Sequence, residues 1–244
     1  MLVAIHQPTF MPWLGYFDRM ARADLFVLLD HVQFERRNYQ NRALIRLEDE
    51  ARWLTVPVVQ LSQKERIVEK RVDNPPDTSG PRWWGPSHFL TLRYAYRKAP
   101  FFELYAPKLR ELLHARWDHL VDLNLATLEF LRGALDITTP MVRSSTFPTQ
   151  GQRSELLLDI CKQVGASAFF GGMGGSRAYL DHEAFDAASM GVVWQEYEHP
   201  AYPQCGEAGF IKGLSALDVL FNCGPASAEI LRRGAVRADE RLAA

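Results

Sequence analysis

The first thirty residues contain the feature that most constrains the fold, namely two short apolar runs separated by one helical pattern. The runs at residues 2–5 and 25–29 have the length and continuous hydrophobicity of buried strands. Between them, apolar residues recur at spacings of three and four over residues 13–23, which predicts an amphipathic helix. Strand, helix and strand at this spacing form a βαβ unit with two parallel strands. We therefore expect an α/β protein with a mainly parallel sheet.

The rest of the chain alternates between the same kinds of element. Apolar or β-branched runs predict further strands at residues 53–58, 136–142, 166–170 and 192–196. Helical spacing predicts helices at residues 154–164 and 215–221 and a helical middle segment at 87–135, divided by Pro100 and Pro107. The proline-rich residues 73–87 are predicted to form a loop. A length of 244 residues favours a single α/β domain over residues 1–244, with residues 226–244 as a frayed C-terminal tail.

Charge and hydropathy argue against several classes of partner. The chain has 28 lysine and arginine residues against 29 aspartate and glutamate residues, a net charge of -1, so no nucleic-acid partner is expected. No run approaches the ~20 apolar residues that cross a bilayer, and His6 interrupts the first apolar run too early for a signal peptide. We expect a cytoplasmic protein without membrane insertion. The sequence leaves open whether it forms a homo-oligomer.

The cysteines and histidines show no metal-binding or disulfide pattern. Cys161, Cys205 and Cys223 form no Cys-x-x-Cys pair and are odd in number, which favours a reducing compartment. No His-Glu-x-x-His pattern occurs, so no metal site is predicted. Cys205 follows a polar loop and is the cysteine that we would test for reactivity.

Two titratable side chains stand at the ends of the first two predicted strands. His6 follows the first strand and Asp30 follows the second. The carboxyl ends of parallel strands share one edge of the sheet, where α/β proteins bind ligands. A histidine there suits proton transfer, although it can equally bond a loop carbonyl and shape the turn at Pro8. We predict that His6 and Asp30 are catalytic, and a structural role for His6 is the alternative.

Polar loops near the strand ends supply the remaining candidates. His199, in the loop after the last predicted strand, is a third predicted catalytic residue. Amide, phenol and guanidinium groups offer directional hydrogen bonds to carboxylate, phosphate or sugar hydroxyl groups. On that ground the predicted substrate-binding residues are Gln7, Gln33, Asn38, Asn41, Arg42, Tyr202 and Gln204. The non-functional alternatives are a hydrated surface hairpin after Asp30 and a proline-shaped loop with an incidental histidine at His199.

Four glycines occupy residues 171–175, directly after the strand predicted at 166–170. Glycines allow close backbone approach and can form an anion-binding nest. Their spacing is neither the dinucleotide-binding fingerprint nor a P-loop. We predict that Gly172, Gly174 and Gly175 form a phosphate- or ligand-binding loop, with a plain tight turn as the alternative.

Several of these segments together resemble one protein family. The resemblance runs from residue 1 to about residue 225. The chain is similar to the WbqC-like protein family at Ile-His-Gln-Pro (5–8), Pro-Trp-Leu-Gly-Tyr-Phe (12–17), Asp-His-Val-Gln-Phe (30–34), Trp-Leu-Thr-Val-Pro-Val (53–58), His-Pro-Ala-Tyr-Pro-Gln (199–204) and Leu-Ser-Ala-Leu-Asp-Val-Leu-Phe-Asn (214–222).

The resemblance implies a role in bacterial surface-polysaccharide or natural-product pathways, with acylation or aminoacylation of an amino sugar as the suggested reaction. We therefore expect a transferase or ligase that binds a small-molecule substrate and joins an acyl or aminoacyl group to an amine. In this hypothesis His6 or His199 relays the proton of the amine, and Asp30 orients that histidine. Asn41 and Arg42 would hold an anionic part of the donor.

Two other functions stay open. The opening βαβ unit looks like that of HIGH-type nucleotidyltransferases and pantothenate synthetase-like ligases, although the His-x-Gly-His spacing is absent. This Rossmann-like or nucleotidyltransferase-like resemblance makes ATP-dependent adenylate formation the alternative, with ATP and magnesium as candidate cofactors. A non-catalytic binding subunit of a glycan-biosynthesis complex is the third hypothesis.

Overall fold

The computed structural model describes residues 1–76, 83–172, 174–207 and 209–235. Strands and helices alternate along most of this length. In chain order they are β1 (Leu2–His6), α1 (Leu14–Arg22), β2 (Leu25–Leu28), β3 (Arg42–Leu47), β4 (Glu50–Thr55), α2 (Trp84–Tyr96), α3 (Phe102–His114), α4 (Leu120–Ala134), β5 (Met141–Arg143), α5 (Ser154–Gln163), β6 (Ala168–Gly171), α6 (Gly175–Tyr179), α7 (His182–Ala187), β7 (Gly191–Trp194), α8 (Ala216–Cys223) and α9 (Ser227–Arg233).

Within the described residues, the central sheet has five strands in the order β5-β2-β1-β6-β7. All four neighbouring pairs are parallel. The chain adds β2 and β5 on one side of β1 and then β6 and β7 on the other. The winding therefore reverses between β1 and β6, and this topological switch point is where open α/β sheets bind ligands. The expected fold class, α/β with a mainly parallel Rossmann-like sheet, is confirmed.

Successive side chains of the central strands enter two different cores. Ala4 and Phe170 pack in a core shared with α1, α3, α4 and α8. Val3, Ile5 and Phe169 pack on the opposite face with α5 and α7. Side chains alternate between the two faces of a strand, so a strand covered by helices on both sides must be apolar throughout. This is why the first predicted strand has no polar residue before its end.

The helical middle segment predicted at residues 87–135 is confirmed as α2, α3 and α4, beginning slightly earlier, at Trp84. Pro100 lies in the turn between α2 and α3, as predicted. Pro107, however, lies inside α3 and does not divide it. Most of the loop predicted at residues 73–87 lies outside the described residues or joins α2. Among the described residues, no helix is both long and apolar enough to span a membrane.

A two-stranded antiparallel hairpin, β3 and β4, stands apart from the central sheet. Its two-residue turn places Glu48 and Asp49 at positive φ, 50° and 62°, which is the twist that tight hairpins favour. The strand predicted at residues 53–58 is thus β4 shifted toward the N-terminus. The sequence did not predict β3, in which the buried Ala43 and Ile45 are separated by the half-buried Leu44.

Two other boundaries differ from expectation. Only Met141–Arg143 of the strand predicted at residues 136–142 is a strand, because Asp136 has φ 55° and Pro140 cannot donate a ladder hydrogen bond. The tail is not frayed where it is described. Residues Ser227–Arg233 form α9, and Ile230 and Leu231 are buried in the main core. Residues 236–244 lie outside the described residues.

Candidate functional site

A cavity of about 410 Å³ opens at the switch point, where β1 and β6 end. His6, Gln7 and Thr9 line it from the end of β1 and the following loop. Arg19 lines it from α1, and Gly172 lines it from the segment after β6. The cavity therefore lies at the edge of the sheet where the sequence placed the site.

His6 enters this cavity as a neutral imidazole. Its Nδ1 lies 2.8 Å from the carbonyl oxygen of Gln7, so Nδ1 carries the proton and donates it to that carbonyl. Burial, with a smaller contribution from the charge of Arg19, lowers the pKa of His6 to about 3. Its ring centroid lies 4.7 Å from that of Tyr16, in an edge-to-face contact that fixes the ring plane. Within the described residues Nε2 has no hydrogen-bond partner, so Nε2 is the nitrogen that can accept a proton from a bound molecule.

Arg19 is the cation of the cavity. Its Nε donates to Oε1 of Gln195 at 3.1 Å. Gln195 is itself fixed, because its Nε2 donates to the carbonyl of Gly15 and to Oδ2 of Asp18, both at 2.7 Å. Burial lowers the pKa of Arg19 to about 10, which still leaves the guanidinium charged at neutral pH.

Gly172 lies against Arg19, and Thr9 lines the same cavity. A Cβ atom at Gly172 would lie 2.2 Å from Nη2 of Arg19, so the guanidinium rests against backbone that only glycine leaves uncovered. Thr9 is 3% exposed, and its Oγ1 has no hydrogen-bond partner. A buried hydroxyl without a partner is uncommon, so the Thr9 hydroxyl is a candidate hydrogen-bond donor to a bound molecule.

One carboxylate belongs to the same cavity. Glu35 is exposed, and its Oε2 accepts a hydrogen bond from Nδ2 of Asn38 at 2.7 Å. Tyr179, also in the lining, has its pKa raised by burial and by the charge of Glu35. The cavity thus combines a cation, a carboxylate and a neutral imidazole, and can suit reactants of opposite charge.

Asp30 is placed differently from the expectation that it orients His6. It is completely buried and accepts hydrogen bonds from Nε of Arg143 at 2.6 Å, from the Ser144 hydroxyl at 3.2 Å, and from the amide and hydroxyl of Ser145 at 2.9 and 2.8 Å. Within the described residues it has no contact with His6, whose orienting partner is the Gln7 carbonyl. The geometry therefore indicates that Asp30 ties β2 to the end of β5, and its catalytic role stays a prediction.

His199 does not line the cavity that contains His6. It packs among aromatic rings, with centroids 6.2 Å from Tyr197, 6.1 Å from Tyr202 and 5.7 Å from Phe210. Its Nε2 is buried without a hydrogen-bond partner, and burial lowers its pKa. The two predicted histidines are not brought together around one cavity.

Tyr202 and Gln204 belong to a buried hydrogen-bond network rather than to the cavity. Nε2 of Gln204 donates to Oδ1 of Asp218 at 2.9 Å, and Oε1 of Gln204 accepts from Nη1 of Arg46 at 3.1 Å. Tyr96 donates its hydroxyl to the other carboxylate oxygen of Asp218 at 3.0 Å. These hydrogen bonds hold α8, β3 and α2 together. The network that contains Tyr202 and Gln204 therefore has a structural role.

Asn41 and Arg42 line a second cavity, of about 500 Å³, beside the β3–β4 hairpin. Nδ2 of Asn41 donates to the carbonyl of Val56 at 2.9 Å. The guanidinium of Arg42 lies over the ring of Trp53, 4.0 Å from its centroid. Gln33 lines a separate outer cavity and donates to the carbonyl of Gln63 at 2.7 Å. None of these three residues lines the cavity that contains His6.

Four of the remaining predicted site residues line the cavity that contains His6. Gln7 and Asn38 line the first cavity, and Oε1 of Gln7 accepts a hydrogen bond from Gln40 at 2.8 Å. Gly172 and Gly174 line it too, while Gly175 begins α6. Position 173 lies outside the described residues. Sequence reasoning missed Arg19, Thr9 and Glu35, for which the only available signal was their nearness to the His6 loop and to Asn38.

Fold and site together define a class, a doubly wound α/β protein with a cavity at its switch point. In the described part of the chain, no cluster of three or more histidine, cysteine, aspartate or glutamate side chains could hold a metal ion. The chain belongs to the WbqC-like protein family, whose model matches residues 7–230. It is also 31% identical over 233 residues, 94% of this chain and 97% of the relative, to the uncharacterized protein Rv1507c of Mycobacterium tuberculosis. No solved structure matches the chain significantly.

Proposed function

We propose that this protein joins an acyl or aminoacyl group to an amine in the biosynthesis of a bacterial surface polysaccharide or natural product. The observation that carries the proposal is the neutral His6 imidazole, which lines the switch-point cavity with Nδ1 bound and Nε2 open to a ligand. Membership of the WbqC-like family supports a biosynthetic setting. The exposed Glu35 carboxylate can accept a hydrogen bond from the neutral amine of the acceptor.

His6 is the residue that transfers the proton in the proposed reaction. The amine nitrogen attacks the acyl carbon and forms the new C–N bond, and Nε2 of His6 takes the proton that the nitrogen loses. The bond from the acyl carbon to the leaving group breaks, and the leaving group departs with the electron pair. His6 then returns the proton to the leaving group. The low pKa of His6 leaves its Nε2 unprotonated at neutral pH, with the lone pair open to the N–H group of the attacking amine.

The test is a turnover assay on the full chain. Amino sugars, free and nucleotide-linked, are incubated with acyl thioesters or with an amino acid, ATP and magnesium, and the amide product is detected by its mass. We expect His6→Gln to lower turnover about 100-fold or more, the usual contribution of a general base. His119→Gln, at an exposed histidine outside the cavity lining, should leave turnover unchanged. Undiminished turnover in His6→Gln would remove the assigned role.

ATP-dependent activation of the acyl group is the second candidate. It is favoured by the position of the glycines, because Gly172 and Gly174 line the same cavity as His6. Backbone at glycines can approach phosphate groups closely. Calorimetric titration with ATP and magnesium separates the two candidates, since an absence of binding heat at both low and moderate salt would leave only transfer from a pre-activated donor.

A further inference from the structure

Within the described residues, Arg19 is a half-buried cation without a hydrogen-bonded carboxylate partner. Its Nε donates to the uncharged amide of Gln195, and within the described residues its two Nη atoms have no hydrogen-bond acceptor. Asp18 attracts the guanidinium through space, but the Asp18 carboxylate is bound by Gln195 at 2.7 Å and by Arg22 at 3.4 Å. Partial burial of a charge without a counter-ion has a free-energy cost, and a bound anion would relieve it.

The position of Arg19 is fixed by the surrounding fold. Gln195 follows β7, and its amide is anchored to the Gly15 carbonyl and the Asp18 carboxylate on α1. The backbone nitrogen of Gln195 also donates to the Gly171 carbonyl at 2.8 Å, which ties the end of β7 to the end of β6. With Nε engaged in this way, the two Nη atoms are the guanidinium donors left for a ligand, and their planar fork suits an oxyanion.

Two neighbours make room for such an ion and supply a further donor. Gly172 lacks the Cβ that would collide with the guanidinium at 2.2–2.7 Å, so the guanidinium can lie flat against the chain there. Thr9, 3% exposed and in the cavity lining, has a hydroxyl without a partner. An oxyanion on Arg19 would give that hydroxyl an acceptor.

We propose that Arg19, Thr9 and Gly172 form an oxyanion-binding site that takes a carboxylate or phosphate group of the donor substrate. The assignment of this anion to a donor rests on the proposed function, whereas the binding of an oxyanion does not. Arg42, the cation that the sequence suggested for this task, lines a different cavity. Glu35, the carboxylate of the same cavity, accepts a hydrogen bond from Asn38 and is assigned to the amine rather than to the anion.

The experiment titrates the full chain with inorganic phosphate and, separately, with acetate, and follows binding by calorimetry. We expect Arg19→Gln to weaken binding of the preferred ion at least about tenfold, the effect of losing a charge-assisted hydrogen bond. Arg93→Gln removes the same charge from an exposed position on α2 and should change affinity by less than about twofold, because distant exposed charges are screened. The ion that binds more tightly identifies the group as phosphate or carboxylate.

A second variant keeps the charge and changes only its position. In Gly172→Ala the new methyl group must displace the guanidinium, so we expect binding to weaken by a similar factor. Gly133→Ala, in α4 with no atom within 4 Å of the added Cβ, is the matched control and should bind as the unmodified protein does. This arm also covers the case in which Arg19→Gln fails to fold.

The outcomes separate the inference from the proposed function. Weak binding in both Arg19→Gln and Gly172→Ala, with normal binding in Arg93→Gln and Gly133→Ala, supports the oxyanion site even if no amide product is ever found. Affinity unchanged in Gly172→Ala and Arg19→Gln overturns it. Failure of the unmodified protein to bind either phosphate or acetate overturns it as well.

Discussion

Replacement of Asp30 by alanine should cost stability, because the carboxylate is a buried junction between β2 and the end of β5. Asp30 is completely buried, and the Nε of Arg143 lies 2.6 Å from it. Breaking a buried ion pair costs about 3–5 kcal/mol, since the remaining charge is left without a partner. The Arg143 side chain is 30% exposed and can regain water, which places the expected cost at about 3 kcal/mol, near the lower end of that range.

Urea unfolding followed by circular dichroism measures this cost from the shift in midpoint at constant slope. Asp118→Ala is the control, because the Asp118 side chain is 68% exposed and lies 3.9 Å from Arg116. That change should cost less than about 0.5 kcal/mol. A loss of less than about 1 kcal/mol in Asp30→Ala would refute the structural reasoning. Normal stability together with lost turnover would instead support the catalytic role predicted from the sequence.

Three further outcomes follow from burial and packing. The pKa of His6 is about 3 in the folded protein and 6.5 for an exposed histidine. As the pH falls from 6.5 toward 3, the unfolded chain takes up a proton at His6 that the folded protein does not, so the free energy of unfolding should decrease over this range. Thermal unfolding against pH should show a shallower fall in His6→Gln, and an unchanged slope would contradict the argument. Burial raises the pKa of Cys161 to about 12, so a thiol reagent at pH 8 should modify it only after unfolding; labelling in the native protein would be inconsistent with this burial. Gly85→Ala would place Cβ 1.8 Å from the carbonyl oxygen of Leu113 and should destabilise the α2–α3 pair by about 2 kcal/mol or more, with an unchanged unfolding midpoint as the contrary result.

The part of the fold that was predictable depends on local patterns. The βαβ unit could be recognised because β1 and β2 must be apolar on both faces and α1 shows helical spacing within a short window. The β3–β4 hairpin was harder to predict, because β3 contains two arginines and its turn is formed by Glu48 and Asp49 rather than by glycine. Those residues adopt positive φ there although tight hairpin turns usually use glycine or asparagine. Packing of the hairpin against the helices stabilises what the local sequence does not indicate.

Only the part of the site that follows from the order of the parallel strands could be predicted from the sequence. The end of β1 identified His6 and Gln7, and the glycines after β6 identified the facing wall. His199, Tyr202 and Gln204 were selected because they also lie in a polar loop after a predicted strand. In the structure, however, His199 packs against aromatic rings and Gln204 bonds to Asp218. Which way a loop folds after leaving a strand depends on tertiary packing, and no local pattern in this segment encodes it.

Arg19 shows why a residue of the site can look ordinary in sequence. It lies with Arg22 in the last turn of α1, where basic residues are expected simply because the helix dipole favours them. What distinguishes the two is contact with distant parts of the chain, because Arg22 meets a carboxylate while Arg19 meets Gln195, 176 positions away, and the bare backbone of Gly172. A glycine and a glutamine carry no charge pattern that would pair them with an arginine. A half-buried cation without a carboxylate partner is therefore a property of the fold, and the proposed oxyanion site depends on three segments that are distant in sequence.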